Sequence, residues 1–198
     1  ADLFWAIRGG GGNFGVVTSF TFQARPVSTV IAGPMLWPLE LAPDVLGLYT
    51  ELLAGAPDEL GGFFAFLTVP PGPPFPEELH LKKMCGVVWC YAGPEETARA
   101  LLAPIRAKLP PALDGVGEVP LPAMQSAFDA LYPPGDQWYW RADFVETIPA
   151  KAVEAHLEYA RELPTMKSTM HLYPIDGAAG RVAPVSYTHL TLPTILRV

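Results

Sequence analysis

Four consecutive glycines, Gly9 to Gly12, followed by Asn13, Phe14 and Gly15, lead directly into a run of β-branched and aromatic residues. That order limits the possible folds more than any other feature of the chain. Gly10, Gly12 and Gly15 formally satisfy G-x-G-x-x-G, the fingerprint of dinucleotide-binding β-α-β units. The fingerprint requires a helix after the glycines, whose N-terminal N–H groups face the pyrophosphate, and an acidic residue about twenty positions later for the ribose. Here Phe14, Val16, Thr18, Phe20 and Phe22 fall on one face and Val17, Ser19 and Thr21 on the other, which predicts a strand over 14–22. No Asp or Glu occurs between Asp2 and Glu40. The doubly wound nucleotide fold fails on both counts. What the glycines offer instead is backbone without Cβ atoms, so that N–H groups can approach a phosphate or a flat ring. Arg8 adds charge, and the Asn13 amide both donates and accepts. A tight connection that holds no ligand is the alternative reading of the same glycines.

Downstream, hydrophobic periodicity switches repeatedly between two and 3.6. Extended runs are predicted over 29–37 (interrupted by Gly33-Pro34), 63–69, 81–92, 138–146 and 166–173. A helix opens at Pro43, with Val45, Leu48 and Leu52 recurring at helical spacing. A second starts at Pro94-Glu95-Glu96, where Pro suits the first turn and two acids face the positive end of the dipole. Its stripe is Ala98, Leu101, Leu102, Ile105 and Leu109, with Pro104 expected to kink it. Loops are predicted over 70–76 and 110–120, a short helix over 123–132, and a helix over 150–163 with Val153, Leu157 and Ala160 inward. Strand pairs separated by helices, rather than strict β-α alternation, predict an α+β fold: a largely antiparallel sheet covered by helices.

The composition removes several function classes. The chain of 198 residues is 50% hydrophobic and 17% charged, with a net charge of −7 and no basic stripe, which argues against a nucleic-acid partner. No stretch offers the ~20 predominantly apolar residues of a bilayer span, so no membrane partner is expected. Cys85 and Cys90 lie five apart in a predicted strand and point to opposite faces, so free thiols are expected. His80, His156, His171 and His189 are scattered, and no metal site is expected. The chain opens at Ala1 in an apolar run and reads as an internal fragment. Residues 185–198 read as a translated sequencing adapter and not as natural protein, which removes His189 from consideration.

The stretch Asp2-Leu3-Phe4-Trp5-Ala6-Ile7-Arg8 through the glycines to Val16-Val17-Thr18-Ser19-Phe20 resembles the end of the flavin domain in berberine bridge enzyme-like FAD-linked oxidases. These belong to the vanillyl-alcohol oxidase superfamily, with its PCMH-type FAD-binding domain. The similarity continues through Leu131-Tyr132-Pro133-Pro134-Gly135, Trp138-Tyr139-Trp140-Arg141-Ala142-Asp143-Phe144 and Met170-His171-Leu172-Tyr173-Pro174-Ile175-Asp176-Gly177. It implies two segments, the C-terminal piece of an FAD-binding domain over 1–26 and a truncated substrate domain over 27–184, which end where the adapter-like tail over 185–198 begins.

The resemblance further implies FAD as cofactor, with Gly11, Gly12, Asn13, Gly15 and Val16 as flavin contacts. Covalent attachment, where the family has it, would use residues outside this chain, as would the catalytic carboxylate or tyrosine. The implied activity is hydride transfer from a small organic substrate to the flavin, with O2 as acceptor. On the two strands expected to lie over the flavin, Tyr139, Arg141, His171 and Tyr173 are the candidates for lining the substrate pocket, where aromatic walls and a few polar groups orient a ligand. Trp138 and Trp140 are expected in the core, and Arg141 with Asp143 as a surface ion pair. A non-catalytic α+β binding module is the competing reading.

Overall fold

The computed structural model describes residues 2–175, 177–181 and 183. The chain divides into two units: one takes in residues 2–26, 142–144 and the described residues after 174, the other Val27–Arg141 and Val145–Pro174. The predicted tail over 185–198 lies outside the described residues.

The larger unit is built on a fully antiparallel sheet of six strands: β1 (Thr29–Pro38), β2 (Leu60–Thr68), β3 (Lys83–Tyr91), β4 (Leu113–Asp114), β5 (Gly117–Pro120) and β6 (Met170–Leu172). Their order is β4-β1-β3-β2-β6, and β5 pairs with β1 beside β4. Helices α2 (Ala42–Ala54), α3 (Glu95–Lys108) and α5 (Ala150–Arg161) contribute to one core with this sheet, which is the α+β arrangement expected. α1 (Asp2–Ala6) belongs to the smaller unit, and α4 (Leu121–Ser126) packs against β1.

Register assigns the two faces. Trp37, Cys85 and Phe66 lie side by side across β1, β3 and β2, as do Met35, Val87 and Phe64, and then Ile31, Tyr91 and Leu60. Against this face come Val45, Leu46 and Tyr49 of α2, Ala98, Leu102 and Ile105 of α3, and Leu157 and Ala160 of α5. Strand alternation puts Ala32, Pro34 and Leu36 on the opposite face, beside Cys90, Val88 and Gly86 and then Gly61, Phe63 and Ala65. One end of that second face is covered by the connection from β2 to β3, where Val69, Leu79 and Phe75 pack on Leu36, Met84 and Leu67. The other end, around Val88, Cys90, Gly61 and Phe63, is half-buried.

Gly33-Pro34 does not interrupt β1. The Pro34 carbonyl accepts from Gly115 N at 2.8 Å, on the side away from β3. Nitrogen and carbonyl of one strand residue point the same way, so the N–H that proline lacks falls in the gap between β4 and β5. Gly33 is held at φ +146°, where an added Cβ would run into the Gly115 backbone. Pro104 sits inside α3 without ending it; Glu95 and Glu96 open that helix and Arg106 and Lys108 close it, matching its dipole.

Several expectations are corrected. Residues 15–28 form no ladder, and 14–22 is not a paired strand: Val16 is 91% exposed and Phe22 82%. The alternation survives only locally, as Phe20 stacking on Phe22 at 5.7 Å. Residues 138–146 likewise form no strand, and Trp140, 67% exposed, is not core. Both segments carry strand-like sequences, but a strand is held by a neighbour's N–H and C=O groups, and no described segment supplies them. The last strand shortens to Met170–Leu172 because 165–168 forms a turn closed by Thr165 and Ser168. The helix predicted over 123–132 splits into α4 and a 3-10 turn, Asp129–Leu131. The loop predicted over 110–120 gains β4 and β5, because β1 offers its outer edge there.

Candidate functional site

Two regions carry the candidate residues, one in each unit. In the smaller unit, α1 is wound to a stop by the glycines. Ile7 N donates to Leu3 O at 3.0 Å and Gly10 N to Ala6 O at 2.9 Å. Gly9 then takes φ +122°, a conformation that releases the chain from the helix. A 3-10 turn, Gly11–Phe14, follows, and Gly15 sits at φ +130°.

The glycines serve different purposes. A Cβ on Gly10 would meet the Ala6 carbonyl and the Phe14 ring, so this glycine is required by local packing. Gly12 and Gly15 would present a Cβ to open space, with no atom within 4 Å. Asn13, Gly15 and Val16 are exposed, and Gly11 lies in the same turn. Arg8 folds back: its guanidinium lies 4.4 Å from the Phe4 ring centroid, and Nε donates to Phe4 O at 3.1 Å. Between Gly12 and Val16 the backbone is therefore free of a Cβ at Gly12 and Gly15, and the exposed side chains are those of Asn13, Phe14 and Val16.

In the larger unit, β6 pairs Ala65 with His171, which puts His171 on the sheet face that carries Phe63. Met170 and Leu172, on either side, pack against the helix-covered core. Tyr173 lies on the same side two residues on, and its hydroxyl is 2.8 Å from His171 Nδ1. The Phe63 ring contacts both, with centroids 5.2 Å from His171 and 5.0 Å from Tyr173, and touches Phe128 at 5.8 Å. Burial lowers the pKa of the His171 imidazole; burial and then the nearby Tyr132 raise that of the Tyr173 phenol. Both groups are held neutral around pH 7.

The structure thus brings together two of the four predicted pocket residues. Tyr139 and Arg141 are exposed on the irregular stretch after Trp138, and Tyr139 is 88% exposed. Asp143 accepts a hydrogen bond from the Phe144 N–H at 2.8 Å. Trp138 and Trp140 join Tyr132 in a surface ring cluster, with Tyr132–Trp138 centroids 5.1 Å apart, and Lys167, paired with Asp136, reaches toward the Trp138 ring. Sequence reasoning missed Phe63, Phe128 and Tyr132 as site residues. Phe63 was accessible in principle: Gly61, Phe63, Ala65 and Leu67 are the alternate positions of β2, with Phe63 the largest ring among them.

Clefts open elsewhere in this unit. One of about 450 Å3 is lined by Ile31, Glu95, Arg99 and Leu102, with the Arg106–Asp114 ion pair at its rim, and contains none of the predicted residues. Among the described residues no three His, Cys, Asp or Glu side chains converge as a metal site would need.

No protein-family model matches the chain. Relatives do. One, an FAD-linked oxidoreductase of Dictyostelium discoideum, is 28% identical over 179 residues, which cover 89% of this chain and 36% of the relative. YgaK of Bacillus subtilis, named an uncharacterized FAD-linked oxidoreductase, is 28% identical over 188 residues, 92% of this chain and 39% of its own. The FAD-linked oxidoreductase pgmH of Aspergillus terreus is 35% identical over 119 residues, 58% of this chain and 23% of its own.

The chain is similar to FAD-linked oxidoreductases. It spans 36% and 39% of the length of the first two relatives, so the similarity concerns one part of such a protein.

Proposed function

We propose that this chain is part of a berberine bridge enzyme-like FAD-dependent oxidase. It oxidises a small organic substrate by hydride transfer to flavin, with O2 as the final acceptor. One observation carries the reading: similarity to proteins named FAD-linked oxidoreductases runs through about nine-tenths of the chain, 89% and 92% of it in two relatives. The glycine segment fits the cofactor chemically, since Gly12 and Gly15 keep space open where any larger residue would project a side chain. Gly11, Gly12, Asn13, Gly15 and Val16 are the residues assigned to one wall of the flavin site. When bound, the flavin accepts the electrons; the protein's part is to position and polarise. Phe63, His171 and Tyr173 form the substrate side, with an aromatic platform and two polar groups at its edge.

The test is spectroscopic. Protein purified from its complete reading frame is expected to show flavin absorbance near ~450 nm, since the cofactor carries the redox chemistry. Gly12→Val is expected to lower the flavin content without lowering thermal stability. A colourless protein that cannot be reconstituted with FAD refutes the oxidase and leaves a binding module.

A further inference from the structure

We propose that His80 is a proton-operated latch on the connection between β2 and β3. Neutral, its Nε2 holds the Gly72 N–H. Protonated, it drops that amide and donates to the Phe75 carbonyl, which frees residues 70–74.

One nitrogen stands between two incompatible neighbours. Gly72 N lies 3.1 Å from His80 Nε2, and Phe75 O lies 2.9 Å from the same atom. Gly72 and Phe75 are the two ends of one turn, closed by Phe75 N donating to Gly72 O at 3.1 Å. Pro73 and Pro74 between them have no N–H, so the Gly72 N–H is the amide of this turn that must find an acceptor outside it. A ring nitrogen either carries a proton or offers a lone pair, so Nε2 serves one neighbour at a time.

In the neutral ring the amide has the stronger claim. It has a single proton to place, and Gly72 is half-buried, whereas a carbonyl has two lone pairs and tolerates a lost donor more readily. The ring proton then resides on Nδ1. On protonation the ring takes one proton from water at Nε2, and no covalent bond of the protein breaks. Both ring nitrogens are now donors, and a charge-assisted hydrogen bond to Phe75 O replaces the one from Gly72.

The released stretch is short. Leu81 N donates to Val69 O and Val69 N to Lys82 O, both at 2.9 Å, which pins the base of the connection. Phe75 and Leu79 pack on Leu36, Met84 and Leu67, so the apolar cover at this end of the sheet stays seated. The charged groups on the connection and on the elements around it are Glu77, Glu78 and Lys82, then Lys83 on β3, Asp114 on β4 and Glu40 in the adjoining cleft. Asp114 is held by Arg106, and Lys83 donates to Arg161 O. Among the described residues none forms an ion pair with His80. The switching charge is the ring's own proton.

Nuclear magnetic resonance on the 198-residue chain tests the latch. Long-range 1H–15N spectra of the imidazole show which nitrogen carries the proton, and amide hydrogen exchange, corrected for its intrinsic pH dependence, gives the protection of Gly72. At about pH 8 the His80 proton is expected on Nδ1, with Nε2 bare. As the ring titrates toward about pH 5, Gly72 protection should fall about fivefold, the effect of one lost hydrogen bond, while that of Val69 holds. His80→Ala, with the circular dichroism of the wild type, should leave Gly72 at the lower protection throughout. A proton on Nε2 at about pH 8, or a ring that stays neutral to about pH 5, overturns the proposal. So does Gly72 protection that is unchanged through the ring's titration, or that falls equally in His80→Ala. No flavin enters the measurement, so it stands or falls separately from the oxidase reading.

Discussion

Trp37 and Trp89 provide a matched pair of substitutions with opposite polar consequences. Both side chains are fully buried on the helix-covered face of the sheet. The Trp37 indole N–H donates to Leu109 O at 2.8 Å, past the end of α3. The Trp89 indole N–H is buried with no acceptor among the described residues. Replacing either by Phe deletes the same atoms and leaves a similar void, so the apolar losses nearly cancel in the comparison. The polar contributions do not. Trp37→Phe leaves the half-buried Leu109 carbonyl without its donor, at a cost of about 1 kcal/mol. Trp89→Phe removes an orphan donor whose burial costs about 1–3 kcal/mol. Trp89→Phe should therefore be the more stable variant by about 2–4 kcal/mol. Urea unfolding followed by far-ultraviolet circular dichroism measures the gap. With a slope of about 1–3 kcal/mol/M, the midpoints should differ by about 1 M or more at unchanged slope. Equal midpoints, or a Trp89 variant less stable than the Trp37 variant, refute the reasoning.

Further outcomes follow from other features. Gly33→Ala should destabilise by about 2–4 kcal/mol in the same unfolding assay, because the position combines a left-handed φ of +146° with a Gly115 backbone in the way. Burial pushes the Cys85 thiol up to about 12, whereas Cys90 is only half-buried, with its pKa raised to a lesser extent. Alkylation at pH 8 with mass mapping should therefore label Cys90 first and reach Cys85 only on unfolding. Burial lowers the His171 pKa below its ordinary 6.5, so the unfolded chain binds the proton more readily than the folded one. The stability this neutral histidine provides is present above pH 6.5 and is lost as pH falls from there through the folded value. His171→Gln should flatten that part of the stability profile, read from urea midpoints between pH 7 and 5.

The helices and the central strands were legible because their signals are local. Pro43 with Asp44, and Pro94 with Glu95 and Glu96, mark helix starts by backbone and dipole chemistry. Strands β1, β2 and β3 announce themselves by β-branched and aromatic density. The same density misleads at 14–22 and 138–146, where the residues favour a strand and no described neighbour pairs with them. Within the site, alternation could place His171 and Tyr173 on one face of a strand. It could not place Phe63 and Phe128, distant in sequence, against them.

The amino-acid order by itself argued against a nucleotide fingerprint, since no acidic residue occurs between the glycines and Glu40 and the β-branched, aromatic stretch after them disfavours a helix, although no strand pairs there among the described residues. It also determined an antiparallel layer under helices, since periodicity and helix-start chemistry are properties of neighbouring residues. Tertiary structure alone decided which glycine is packed and which is open, which face of the sheet the helices leave bare, and that a proline could lie within a central strand. Those outcomes depend on what stands across from each residue, and pairing partners a long way apart in the chain leave no local trace.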